Sequence, residues 1–221
     1  MILSLPRLAA TCILSLGLST LAHAATVPLD VTVDGIRPGK PVPEANVRCK
    51  PTARGRSTDG KNLQPTIQWG DAPKETKSFA IFVMDPDVPA DFTDAGKEGK
   101  TIPADAPRKD FFHFARINIP AATRALAATD TAIGTPLLND MGINKYVPTE
   151  TSYGGPCPPW NDKRLHHYHF IVMALGADAP LDAPGNQTSA AATYARLVTS
   201  KRILAQGEVV GTYTLNKTLR K

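Results

Sequence analysis

Cysteine is scarce in this chain, with three in 221 residues. No C-x-x-C pair and no H-E-x-x-H motif occurs, so the familiar zinc-ligand spacings are missing and no native metal site or other cofactor is expected. No G-x-S-x-G occurs either, which removes the strand-turn-helix nucleophile of one large hydrolase class. Lys and Arg outnumber Asp and Glu by 25 to 20. They form no dense run interleaved with aromatics, so nucleic acid is not an expected partner. Past the first two dozen residues, no apolar run approaches the ~20 residues that a membrane-spanning helix needs. There is no internal repeat, no low-complexity linker and no sign of a second domain.

The first two dozen residues follow a different plan. A short basic start through Arg7 leads into an apolar run, Leu8 to Leu21, and then Ala22-His23-Ala24. That order is a secretory signal peptide cleaved after Ala24, with an uncleaved anchor as the weaker reading. Cys12 lies upstream of the cleavage site and is not a lipid attachment site. The expected domains are residues 1–24, the signal peptide, and 25–221, one domain of about 197 residues with a full-sized core. Cleavage removes Arg7 and no acid, so the net charge falls from +5 to +4. The chain is expected to be periplasmic or secreted, with at most peripheral membrane contact. Its oligomeric state is not legible. An oxidising compartment leaves two readings for Cys49 and Cys157, one disulfide or two separate buried thiols.

What is plentiful is proline and glycine, 20 and 16, filling the spaces between short apolar runs. Leu29, Val31 and Val33 alternate with polar residues; Thr66–Trp69, Ser78–Met84, Phe111–Ile119, Tyr168–Leu175 and Val209–Thr214 are strand-length segments. Ser78–Met84 is apolar on both faces and predicts a central strand. Helical signals are few: Thr188-Ser189 caps a segment running to about Ser200, and Pro120–Ala128 favours a short helix. The fold class is mainly β. Residues 90–110 form one long polar connection, either a binding loop or a tolerated insertion.

Two rigid polar segments carry the chemistry. In Asp85-Pro86-Asp87-Val88-Pro89 the prolines restrict the backbone, so two carboxylates leave a buried strand in defined directions. They suit a ligand cation, a histidine to be oriented, or simply a turn. In Tyr153-Gly154-Gly155-Pro156-Cys157-Pro158-Pro159 the glycines permit unusual backbone and close approach, and successive amides can form an anion nest. His166 and Tyr168 share one strand face, His167 and His169 the other. His113 sits inside an apolar strand, where a histidine by itself is more often structural than functional.

Taken together, these residues resemble the phosphatidylethanolamine-binding protein family, in its bacterial Raf-kinase-inhibitor-like branch. The resemblance rests on D-P-D-V-P at 85–89, H-x-x-x-x-N-I-P at 113–120, G-G-P-C-P-P at 154–159, H-x-Y-x-F at 166–170 and the terminal V-V-G-T-Y. It implies two antiparallel sheets packed as a sandwich, with one or two short helices, the last near the C-terminus. It also implies a pocket for phosphate, phosphorylethanolamine, acetate or similar anions, lined by Asp85, Asp87, His113, Tyr153, Gly155, Cys157, His166 and Tyr168. In that reading the amides at Gly155 and Cys157 hold anionic oxygens, and His113 and His166 donate hydrogen bonds. Asp85 orients a histidine or meets a cationic head group, and Tyr168 closes the wall. Phe112, Phe114 and His167 depart from the family's usual residues.

Three functions follow as expectations. The leading one is an exported, non-enzymatic binding protein for a small anionic or phosphorylated ligand. The second is a modulator of an exported protein partner, kinase- or protease-inhibitor-like, acting through the pocket rim and loop 90–110. The third is a hydrolase using His166 with Asp85 or Cys157. Replacing His166 by Ala should weaken binding with little loss of fold, and Gly155→Val should damage both.

Overall fold

A computed structural model describes residues 26–143, 152–179 and 188–220. The expected signal peptide lies outside the described residues. Among the described residues, no helix is long and apolar enough to cross a membrane.

The chain is mainly β, as its alternating runs predict. In order, the elements are β1 (Val27–Pro28), β2 (Val31–Val33), β3 (Cys49–Pro51), β4 (Ser57–Asp59), β5 (Ile67–Trp69), β6 (Ser78–Pro89), β7 (Arg108–Pro120), β8 (Ala125–Leu126), β9 (Thr135–Pro136), α1 (Asp140–Ile143), β10 (His166–Leu175), α2 (Ala190–Val198) and β11 (Ile203–Tyr213). A six-stranded sheet runs β1-β11-β10-β6-β7-β9, a three-stranded sheet runs β2-β5-β8, and β3-β4 is a separate hairpin. The pairings are antiparallel except at one edge, where β1 runs parallel to β11.

The large sheet is buried on both faces, which is why β6 and β10 read as continuous apolar runs. Phe79, Ile81, Phe114, Phe170 and Val172 face the small sheet and meet Val33, Ile67, Trp69 and Leu126. Ala80, Phe82, Phe112, Ile171 and Met173 face the other way and are covered by Leu197, Ala190 and Tyr194 of α2. Ser189 caps α2, its hydroxyl accepting from the Ala192 amide at 3.3 Å. The expected helix at 120–128 does not form. Thr123 closes a turn on Pro120, and Ala125–Leu126 then pair with β5 as β8, because an edge position beside Ile67 was available to bury Leu126.

Two further details position the functional end. Asn118 has a positive φ of 53° at a register shift in β7, and its side chain accepts the Ala179 amide at 2.8 Å. Asn tolerates that conformation better than most residues. Cys49 and Cys157 are joined as a disulfide across 108 positions, Cα atoms 4.8 Å apart. The bond fastens the β3 strand to the Gly/Pro loop, supported by the Arg48 and Cys49 amides on the Pro156 carbonyl.

The long connection after β6 is pinned at its centre. Asn161 donates to the carbonyls of Asp94 and Lys100 at 2.9 and 3.1 Å and accepts the Gly96 amide at 2.9 Å. A single amide side chain thus supplies the hydrogen bonds that a loop without secondary structure lacks.

A double Cys49→Ala, Cys157→Ala variant should lose about 4 kcal/mol of stability, since the cross-link closes a loop of about 100 residues. Urea denaturation of both proteins checks this; an unchanged midpoint would mean that the bond constrains nothing in the unfolded chain.

Candidate functional site

The site lies where the ends of β6, β7 and β10 meet the Gly/Pro loop. There, Arg48, Asp85, His113, Gly155, Cys157, His166 and Tyr168 border a cavity of about 270 Å³. Its remaining walls are Val88, Phe92, Phe111, Met141, Pro158 and Pro159.

At its base is an imidazole clamped between two carboxylates. His166 Nδ1 lies 2.6 Å from Asp85 Oδ2, and His166 Nε2 lies 3.2 Å from Asp162 Oδ2. All three side chains are buried. A carboxylate accepts, so the arrangement calls for a proton on both nitrogens. Burial opposes the charge, but the bonds to Asp162 and Asp85 outweigh it and push the His166 pKa up to about 9. Asp162 is held in turn by Arg108 in a two-pronged pair, at 2.6 and 3.0 Å. Arg108 also donates to the carbonyls of Asp87, Pro103 and Ala106. The chain of charges runs Arg108, Asp162, His166, Asp85. Burial works against ionisation of Asp162, and the bonds to His166 and Arg108 overcome it, leaving its pKa below the ordinary value.

Asp85 is consumed by the protein on both oxygens. Oδ1 accepts the Asp87 amide at 2.8 Å, and the Tyr168 hydroxyl bonds to the same carboxylate. Burial first, and then Asp85, push the Tyr168 pKa well above its ordinary value, so this phenol stays a neutral donor.

His113 is the opposite case. Its Nδ1 lies 2.7 Å from the Gly154 carbonyl oxygen. A carbonyl only accepts, so the proton sits on Nδ1. Nε2 is buried and has no hydrogen-bond partner among the described residues. Burial pushes the His113 pKa down, against the attraction of Asp85, and the nearby charges of His166 and Arg48 add to the fall. The ring is therefore neutral at pH 7, with a bare acceptor nitrogen. Phe111 and Tyr168 flank it at 5.0 and 5.3 Å between ring centroids.

Of the eight residues expected at the site, six border the cavity: Asp85, His113, Gly155, Cys157, His166 and Tyr168. Asp87 and Tyr153 do not. Register shifts between Asp85 and Val88 re-aim the strand. Asp85 meets His166, while Asp87 meets its neighbour His167 at 2.7 Å and Arg164 at 2.8 Å. The D-P-D-V-P segment is thus part of β6 rather than a turn beyond it. Tyr153 is buried in the main core, its hydroxyl donating to the Asn46 carbonyl at 2.9 Å.

The roles expected of the loop also change. The Gly154 amide donates to the His113 carbonyl, and the Gly155 amide donates to Asn62 Oδ1 at 2.7 Å. With prolines on either side of Cys157, the loop offers no run of free amides for an anion nest. Neither glycine has a positive φ. The glycines are needed for space: a Cβ on Gly155 would come within 2.1 Å of the Asn46 carbonyl oxygen, and one on Gly154 would collide with Met141. His166, with both nitrogens occupied, is a brace and not a ligand donor.

Sequence reasoning missed Arg48, Asp162, Arg108 and Asn62. Arg48 is half-buried beside the cavity, and among the described residues its guanidinium makes one side-chain hydrogen bond, Nη1 donating to Met141 Sδ at 3.3 Å. Among the described residues it forms no ion pair. The signal for it was Cys49: a residue next to a cysteine bonded to Cys157 must lie beside the Gly/Pro loop. Among the described residues, no cluster of three His, Cys, Asp or Glu has an arrangement to hold a metal ion.

Comparison with known proteins places this geometry in a class. Residues 32–214 match the family described as Phosphatidylethanolamine-binding protein, and the chain belongs to that family. An Aquifex aeolicus UPF0098 protein is 32% identical over 155 residues, covering 70% of this chain and 76% of that one. The Escherichia coli UPF0098 protein YbcL is 28% identical over 200 residues, covering 87% of this chain and 91% of its own length. The crystal structure of E. coli YbcL, described as a member of the mammalian PEBP family, superposes with a TM-score of 0.61 at 27% identity, over 85% of this chain and 99% of that one. A Chlamydia trachomatis homologue, CT736, shares the fold at TM-score 0.59 and 22% identity, over 85% and 98% of the two chains.

Because the folded pKa of His166 lies above its unfolded value near 6.5, its contribution is complete below about pH 6.5 and is lost as pH rises through about 9. Stability should therefore fall across that interval, and a His166→Asn variant should be less stable than wild type at pH 6 and show a flatter profile. Parallel profiles for the two proteins would show that the ring is not charged in the clamp. Gly155→Ala should cost about 1–3 kcal/mol through overpacking, read as a lower melting temperature; an unchanged melting temperature would mean that the Asn46 segment moves aside freely.

Proposed function

We propose that this chain is an exported, non-enzymatic binding protein whose cavity holds a small anion, with a phosphoryl group as the leading class. The observation that carries the reading is that one cavity holds both the Arg48 guanidinium, which has no ion pair among the described residues, and the His113 Nε2, which has no hydrogen-bond partner among them. A guanidinium in an apolar wall attracts a planar or tetrahedral oxyanion, and such bonds are worth about 1.5–3 kcal/mol. Against a hydrolase stand Cys157, held in a disulfide, and His166, both of whose nitrogens are engaged. Neither is free to act as nucleophile or base. Export is supported by the disulfide, which persists in oxidising compartments.

Phe92, from the connection after β6, forms part of the cavity wall. A protein partner gripping that connection would therefore act on the cavity, and this is the second reading.

Titrating phosphate or phosphorylethanolamine into the isotopically labelled protein should move the amide signals of residues 48, 113, 155 and 157 saturably at millimolar concentration. His113→Ala should abolish those shifts. No saturable shift with either ligand would remove the anion-binding reading and move the partner reading to first place.

A further inference from the structure

We propose that the Cys49–Cys157 disulfide is a redox-modification site. An incoming thiolate attacks the Cys157 sulfur, and reduction frees the β3–β4 hairpin while the sandwich stays folded. The proposal does not depend on what the cavity holds.

Access is the first observation. Cys157 is exposed and Cys49 is half-buried. Thiols exchange with the disulfides they can reach, and exposed ones are the labile, regulatory kind. Pro156 and Pro158, on either side of Cys157, are buried. They stiffen the backbone, so the residue between them is held at the surface.

Unequal anchoring is the second. The Gly/Pro loop keeps its place without the cross-link. The Gly154 amide donates to the His113 carbonyl at 3.0 Å and the Gly155 amide to Asn62 Oδ1 at 2.7 Å. Asn62 returns a bond to the Tyr153 carbonyl at 3.1 Å. The other end of the disulfide has no such support. Among the described residues, β3 and β4 pair only with each other. β4 is exposed along its length and β3 is half-exposed. No residue from 48 to 61 is buried in the core. A two-stranded hairpin by itself is marginal in water.

The remaining ties of the hairpin are few and lie mostly at one end. The Arg48 and Cys49 amides share one acceptor, the Pro156 carbonyl, at 3.0 and 3.2 Å. The Tyr213 hydroxyl donates to the Cys49 carbonyl at 2.9 Å. Farther out, Arg56 meets Glu98 in an exposed ion pair, a contact that adds little. Cutting the disulfide therefore leaves residues 50–59 as a unit that opens locally while β6, β7 and β10 stay packed. Arg48 and Cys157 both border the cavity, so the opening loosens one of its walls.

The chemistry is two thiol–disulfide exchanges with a dithiol, or with two monothiols. The first thiolate bonds to the Cys157 sulfur, the Cys49–Cys157 bond breaks, and Cys49 leaves as a thiolate and takes up a proton. The second thiolate attacks the reductant's own sulfur in this mixed disulfide. Cys157 leaves in turn and is protonated, and the reductant departs as a disulfide. Two electrons pass to the cysteine pair, and an oxidised partner reverses the sequence.

Trapping and hydrogen exchange on the native protein test this. A thioredoxin with its second active-site cysteine replaced by alanine, and separately glutathione, should each form a mixed disulfide that peptide mass spectrometry finds on Cys157. With dithiothreitol present, amides of residues 50–59 should exchange at least tenfold faster, while those of β6 and β10 stay protected. The Cys49→Ala, Cys157→Ala variant should match the reduced protein. Faster trapping by thioredoxin than by glutathione would assign the reductant to a protein dithiol; the reverse would assign it to a small thiol. A native protein that neither thiol attacks, or a mixed disulfide on Cys49 alone, overturns the proposal. So does a hairpin as protected after reduction as before, or a loss of protection through β6 and β10, which would make the bond a staple for the whole fold. Each of these outcomes leaves the anion-binding reading untouched.

Discussion

A protonated imidazole between two buried carboxylates organises this end of the molecule. Removing His166 would leave Asp85 without a cation and Asp162 with Arg108 as its remaining cation, and removing Asp162 would leave Arg108 bonded to carbonyls alone. Breaking such a buried set costs about 3–5 kcal/mol, because a buried charge then loses its counter-charge. The set ties four separate stretches together: β6 through Asp85, the start of β7 through Arg108, the loop before β10 through Asp162, and β10 through His166. It leaves the cavity with a rigid, electrically neutral floor. Against such a floor the Arg48 guanidinium stands out as a charge with no ion pair among the described residues.

The two histidines of the site divide the work by environment. His166 is surrounded by acceptors and is held charged; His113 faces one carbonyl and apolar rings and is held neutral. One is a structural cation, and the other offers a lone pair to whatever enters. The disulfide contributes in a comparable way, since it lies between Arg48 and the Gly/Pro loop and fixes the position of a long, flexible cation. Charge, lone pair and apolar wall are thus delivered by residues far apart in sequence and bound to one another covalently or through buried ion pairs.

Much of this was legible in the sequence. The doubly apolar run Ser78–Met84 predicts a central strand and forms one, and six of the eight expected site residues do border one cavity. What was not legible depended on contacts rather than patterns. The Asp85/Asp87 pair reads as a unit until a register shift sends the two carboxylates to different histidines. Gly154 and Gly155 read as conformational specialists, whereas their requirement is for room beside Met141 and Asn46. Pro120–Ala128 has helix-favouring alanines, yet pairing with β5 prevails over propensity. Arg48 carries no motif at all, and only its neighbour's disulfide places it.

The most direct test of the account is the nitrogen-15 spectrum of the histidine side chains, recorded with and without phosphate. The account predicts that His113 Nε2 starts as an unprotonated nitrogen and shifts on ligand addition, while both His166 nitrogens remain protonated and still. A His166 that responds to ligand while His113 does not would contradict it, since the brace and the binding group would then have been assigned the wrong way round.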